Sequence, residues 1–120
     1  MTLGQELLTE LKQEAAVTRK YLERVPFDKT DYKPHEKSEA LGRLAIHVAE
    51  IVAWWKECLR HDKLDFMGFE PKDITSTEQL LSYFDDLLAE AIQVLFEAKD
   101  EDFEKEWSMT YGEEVFFFIA

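Results

Sequence analysis

The sequence contains three histidines, and one of them lies inside a helical pattern. His47 falls in the apolar stretch LGRLAIHVAEIVAWW, on the flank of the helix's apolar stripe and one turn from both Leu44 and Ile51. An imidazole in such surroundings must be satisfied by a hydrogen bond or by a metal ion. Taken alone, these residues favour a hydrogen-bonded core histidine over a metal ligand.

The other two histidines, His35 and His61, lie in loops at opposite ends of the same helix. Each is three turns or more from His47, which corresponds to roughly 18–21 Å along an α-helix. Neither can easily share a metal ion with His47, so we expect both on the surface.

Other side chains that could do chemistry give weaker signals. Glu50 follows His47 by three positions and could hydrogen-bond near it, although a solvated carboxylate is the favoured interpretation. Cys58 is interpreted as a buried, inert thiol, because no Lys or Arg clearly activates it. Asp85 and Asp86 are adjacent and therefore point in different directions on a helix. Motifs for phosphate loops, dinucleotide binding and serine nucleophiles are absent from the sequence.

Three segments have the apolar periodicity of amphipathic helices. The first runs from Leu3 to Val25, with Thr2 and Gln5 as a candidate capping box, and ends before Pro26. The second follows Ser38 and fades near Arg60. The third follows ITSTEQL, where Thr75 with Glu78, or Ser76 with Gln79, could form a capping box, and its stripe runs from Leu80 to Ala98. Past residue 100 we expect an extended connector or a small hairpin, with a candidate turn at Tyr111 and Gly112.

Composition restricts the class of protein. The chain has 120 residues, of which 46% are hydrophobic and 33% charged, so we expect one globular domain over residues 1–120. Its net charge of -12 argues against nucleic acid and anionic membranes as partners. The sequence contains one cysteine and no apolar run long enough for a membrane span, which favours a cytoplasmic protein.

These elements predict an all-α, up-down helical bundle with three helices and an extended C-terminal connector. Bundles of long antiparallel helices commonly have four members, and the chain ends in the apolar run VFFFIA. Such a run, if open to solvent, is an association surface, and we therefore expect a homodimer.

The segment YKPHEKSEALGRLAIHVAEIVAWW resembles the DinB/YfiT-like superfamily, in which a Pro and a Lys-Ser pair precede a second helix that carries an important histidine. The matching positions here are Pro34, Lys37, Ser38, Leu41, Gly42, Leu44, His47, Glu50 and Trp54 or Trp55. The resemblance implies a four-helix bundle with a zinc- or nickel-like divalent metal held by three histidines. His47 matches the first of them, and the other two form an i, i+4 pair on a fourth helix.

No such pair occurs in this sequence, so we expect a chain that is incomplete at its C-terminus, where VFFFIA would lead into the fourth helix. A natural three-helix protein that buries its tail against a second copy is the alternative. One imidazole cannot hold zinc alone, because zinc sites use three or four protein ligands.

The resemblance implies a metal-dependent thiol transferase or hydrolase-like enzyme of unknown substrate, with His47 as a metal ligand. Superfamily members include enzymes that use low-molecular-weight thiols such as bacillithiol or mycothiol. The alternative is a non-catalytic, stress-associated helical protein that acts through dimerisation. A coiled-coil module is disfavoured, because the stripes are wide and interrupted by proline-containing loops.

Overall fold

The computed structural model describes residues 2–60 and 72–104, together with the backbone of three strands at 63–65, 107–111 and 114–119. The helices are α1 (Leu3–Leu22), α2 (Leu41–Glu50), α3 (Trp54–Arg60) and α4 (Thr77–Glu97), with 3₁₀ turns at Ile51–Ala53 and Asp100–Phe103. The strands are β1 (Lys63–Asp65), β2 (Trp107–Tyr111) and β3 (Glu114–Ile119).

Both long helices begin at the predicted capping residues. The Gln5 backbone N–H donates to Thr2 Oγ1 at 3.2 Å, and the Thr2 N–H donates to Gln5 Oε1 at 3.0 Å, which completes the capping box of α1. At α4 the Ser76 hydroxyl caps the Gln79 N–H at 3.1 Å, while Gln79 Oε1 accepts from the Thr75 N–H at 2.9 Å. Ser76 is thus the N-cap, and the glutamine side chain bonds one residue further back than in a closed capping box.

The second predicted helix is interrupted. It continues from α2 into a 3₁₀ turn at Ile51–Ala53 and then into α3, which ends at Arg60 as predicted; the 3₁₀ turn was not predicted. The interruption contains two β-branched residues, Ile51 and Val52, whose restricted side chains lower helix propensity. It contains neither Pro nor Gly, so the sequence carries no strong helix-breaking signal at this point.

Helix α4 is the centre of the bundle and contacts α1, α2 and α3. Near its N-terminal half, Leu80 and Phe84 are fully buried against small and aliphatic side chains of α1 and α2. Near its C-terminal half, Ala91 and Leu95 are buried against α1. These residues form two buried clusters, a first near the N-terminal half of α4 and a second near its C-terminal half. Val52 and Leu88 pack against both clusters and connect them into one core. The predicted all-α bundle is therefore confirmed, with three helical segments where the apolar periodicity placed them.

A three-stranded sheet in the order β1-β2-β3 accompanies the helices. Strands β2 and β3 pair antiparallel, which confirms the hairpin predicted past residue 100. The residues proposed for its turn lie partly outside the described residues. Strand β1 was not predicted, because it is three residues long and forms by parallel pairing with β2, more than forty residues away, where Leu64 lies opposite Met109.

Three apolar residues of the predicted helical stripes are exposed. Leu3, Leu44 and Ile51 have 41%, 47% and 51% of their surface accessible. Leu44 and Ile51 lie on the side of the second helical segment away from α4, so the stripe is wider than the surface that α4 covers. Within the described residues, no helix is both long and apolar enough to cross a bilayer.

Candidate functional site

His47 is exposed on α2. The helix turns Ala45, Ile46 and Ala49 toward the core, where they pack with Phe84 and other residues of the first cluster. His47 follows Ile46 by one position and Ala45 by two. Each residue rotates the side-chain direction by about 100° around the helix axis, so His47 lies on a different face from these buried residues. The expectation of a histidine buried in the core is therefore wrong.

Two apolar residues flank the imidazole on the same exposed side of the helix. Leu44 precedes His47 by three positions and Ile51 follows it by four, and both are about half exposed. We call Leu44, His47 and Ile51 the α2 face. Beside it, Arg43 Nε lies 3.4 Å from Glu39 Oε1, so these two opposite charges compensate each other.

Glu50 turns away from the α2 face. Its carboxylate accepts a hydrogen bond from the Tyr83 hydroxyl on α4 and is half-buried, so the interpretation as a solvated carboxylate is wrong. Burial, with the nearby negative charge of Glu50 and the hydrogen bond, raises the pKa of Tyr83 to about 12. The pair joins α2 to α4.

The remaining predicted residues that the structure describes are not brought together with His47. His35 is exposed, and its Nδ1 accepts from the Lys37 backbone N–H at 3.1 Å, whereas His61 lies outside the described residues. Cys58 is half-buried on α3. Asp85 accepts from Arg19 Nε and Nη2, each at 3.0 Å, and this hydrogen bonding lowers the pKa of its carboxyl. Asp85 is thus one half of an ion pair between α1 and α4.

An open cleft of about 500 Å³ lies beside the start of α4. Lys72 Nζ stands 5.6 Å from the centre of the Tyr83 ring at this cleft, close enough for a cation–π contact. The residues that line the cleft include Lys72, Asp73, Ile74, Glu78, Tyr83 and Asp86. Sequence reasoning missed it, because the lining combines a loop with one side of a helix and has no local motif.

A divalent metal in a protein needs several His, Cys, Asp or Glu side chains close together. In the described part of the chain, no group of three or more His, Cys, Asp and Glu side chains is arranged to hold a metal ion. The His47 imidazole is accessible, and no described group hydrogen-bonds to it, so it fits the role of one ligand. It does not by itself complete a site, since three or four protein ligands are usual for zinc.

Comparison with known protein families gives a match. The model of the DinB family matches residues 1–115, which includes all four helices, the α2 face and most of the hairpin. No curated protein and no solved structure gave a significant match. A family match over residues 1–115, on a chain that folds as a helical bundle, shows the family. The chain belongs to the DinB family.

Proposed function

We propose that this DinB-family protein is a divalent-metal-dependent enzyme, of the thiol transferase or hydrolase-like class, and that His47 is one of its metal ligands. The observation that carries the proposal is the imidazole itself. It stands exposed on the segment that carries the resemblance to the family, and it has no hydrogen-bonding partner among the described residues. A neutral imidazole in that state keeps a nitrogen lone pair available for a zinc- or nickel-like ion.

The bound metal supplies Lewis acidity, which lowers the pKa of a coordinated water or thiol. A low-molecular-weight thiol is the substrate class that we propose, in the cytoplasm. The remaining ligands must come from outside the described residues of one chain. The net charge of -12 supports small molecules rather than nucleic acids as partners.

A second candidate is a non-catalytic, stress-associated helical protein that acts through dimerisation. It is favoured by the half-exposed Leu44 and Ile51, which give α2 an apolar outer side, and by the single donor at this position. The two candidates differ in whether the purified protein holds metal through His47.

The test is metal content after exposure to zinc or nickel and removal of the unbound ion, measured by native mass spectrometry and elemental analysis. His47→Ala is compared with His35→Ala, a matched control in which another exposed histidine is removed. We expect wild type and His35→Ala to retain the metal and His47→Ala to lose it. A wild-type protein without metal, or a His47→Ala variant with undiminished metal, would overturn the proposal.

A further inference from the structure

We propose that the open cleft beside the start of α4 binds a linear polyamine, and that the ammonium groups of this ligand contact the ring of Tyr83 and the carboxylates of Glu78 and Asp86. The cleft has a volume of about 500 Å³, and the structure describes the residues that line it. The inference concerns a place in the fold other than the α2 face, and it does not depend on the proposed role of His47.

The ring of Tyr83 already holds a cation of the right kind. Lys72 Nζ stands 5.6 Å from the centre of the ring, within the ~6 Å over which an aromatic face attracts a cation. Among the described residues, no carboxylate forms an ion pair with this ammonium group, so the ring is its recorded contact. A lysine side chain is a four-carbon chain that ends in a primary ammonium group, and the end of a polyamine such as spermidine has the same structure. The cleft therefore accepts the group that the ligand presents.

The ring is also held in place before any ligand binds. Tyr83 is half-buried, and its hydroxyl donates a hydrogen bond to Glu50 on α2. A side chain that is fixed in this way loses little conformational freedom when a ligand contacts it, which favours binding.

The pattern of ion pairs on α4 singles out the carboxylates of the cleft. This helix carries five acidic residues. Three of them pair with basic side chains of other helices, in the pairs Asp85–Arg19, Glu90–Lys56 and Glu97–Arg60. The other two, Glu78 and Asp86, have no basic partner among the described residues, and both line the cleft. The two carboxylates of α4 that are left without a cation thus lie where the ring of Tyr83 attracts one.

The spacing of these two carboxylates favours a long ligand over a compact one. Glu78 and Asp86 are eight residues apart, which corresponds to about 12 Å along the axis of α4 at ~1.5 Å per residue. Tyr83 lies between them in the sequence, and Asp73 adds a carboxylate from the preceding loop. A small cation can contact one of these groups at a time, whereas a chain with several ammonium groups can contact them together.

A neighbouring cleft offers a contrast in charge. It has a volume of about 350 Å³ and shares residues 72–74 with the first cleft. Its charged lining residues are Asp31, Arg43, Lys72 and Asp73, so that two basic groups balance two acidic groups. The first cleft has three carboxylates against one ammonium group. Charge therefore favours the first cleft as the site for a polycation.

The experiment titrates the whole metal-free chain with spermidine in a calorimeter, at about 0.15 M salt, where exposed charges more than ~8 Å apart are largely screened. We expect one spermidine to bind per chain. The double variant Glu78→Gln/Asp86→Asn should bind it about fivefold more weakly or worse, since it loses two ion pairs. Glu10→Gln/Glu14→Gln removes the same charge from exposed positions of α1 and should bind as wild type.

Variants of the ring and of its lysine test the contact itself. Tyr83→Leu should weaken binding about two- to fivefold, whereas Tyr83→Phe keeps the ring and should bind as wild type. Lys72→Ala frees the ring and removes a like charge, so its affinity for spermidine should increase, and Lys12→Ala on α1 is the matched control that should show no change. Partial unfolding cannot produce such a gain. Far-UV circular dichroism checks the fold of each variant.

Each outcome supports or overturns the inference. Absence of spermidine binding overturns it, and so does equal weakening in the two charge-matched double variants, which would show attraction by net charge alone. Unchanged or weaker binding in Lys72→Ala would overturn the ring as the ammonium site. A chain that binds spermidine through the cleft but holds no metal supports this inference and overturns only the proposed function. A chain that holds metal through His47 and binds no spermidine does the reverse.

Discussion

Phe84 gives the sharpest test of the helical core, because its aromatic side chain is fully buried on α4 among residues of three helices. Truncation to alanine removes that buried surface and leaves a cavity, and such Phe→Ala changes cost about 3–5 kcal/mol. A domain of 120 residues has a stability on the order of 6–18 kcal/mol at ~0.05–0.15 kcal/mol per residue. Phe84→Ala should therefore fold, with a greatly reduced free energy of unfolding.

Phe96 offers a matched control on the same helix. It is 68% exposed, so Phe96→Ala removes the same atoms without opening a cavity. We expect its cost to stay below ~0.5 kcal/mol, since surface substitutions rarely exceed that and alanine favours the helix. The assay is urea-induced unfolding followed by circular dichroism at metal-free, fixed protein concentration. Equal losses of stability in the two variants would refute the assignment of Phe84 to the core and of Phe96 to the surface.

Two further predictions concern helix contacts. A Cβ at Gly4 would lie 2.7 Å from the Leu95 carbonyl oxygen, so Gly4→Ala should lower the melting temperature. The overpacking cost of about 1–3 kcal/mol exceeds the gain in helix propensity that alanine brings. An unchanged or higher melting temperature would contradict the close crossing of α1 and α4. Tyr83 should titrate at about 12 in an ultraviolet titration, and Glu50→Gln should lower that pKa without returning it fully to its ordinary value, because burial remains. Since the folded pKa lies above the unfolded one, the contribution of Tyr83 to stability is present below about pH 10 and is lost as the pH rises toward 12. A Tyr83 that titrates identically in Glu50→Gln would show that the hydrogen bond is absent.

The sequence could predict the features that depend on residues close together in the chain. The cap of α1 depends on Thr2 and Gln5, three positions apart, and the cap of α4 on Ser76 and Gln79 at the same spacing. Apolar periodicity predicted the helices because each stripe repeats within one or two turns. The motif around His47 is similarly local, and this stretch carries the resemblance to the family whose model matches residues 1–115.

Features that depend on distant residues could not be predicted in the same way. The contact of Glu50 with Tyr83, the ion pair of Arg19 with Asp85, and the pairing of β1 with β2 all join segments far apart in sequence. No pattern within one helix specifies such partners. The helix interruption at Ile51 is a further example, since the local sequence contains no strong breaker there.

The sequence by itself determined the apolar periodicity of the helices and the place of His47 within the second of them. Only the tertiary structure decided which side of each helix is covered. The apolar stripe of the second helical segment includes Leu44 and Ile51, yet α4 covers the side that carries Ala45, Ile46 and Ala49 and leaves the other side exposed. A stripe shows that a residue is apolar, whereas burial requires a neighbouring element to contact it. The exposure of His47, on which the proposed function depends, is a consequence of that packing.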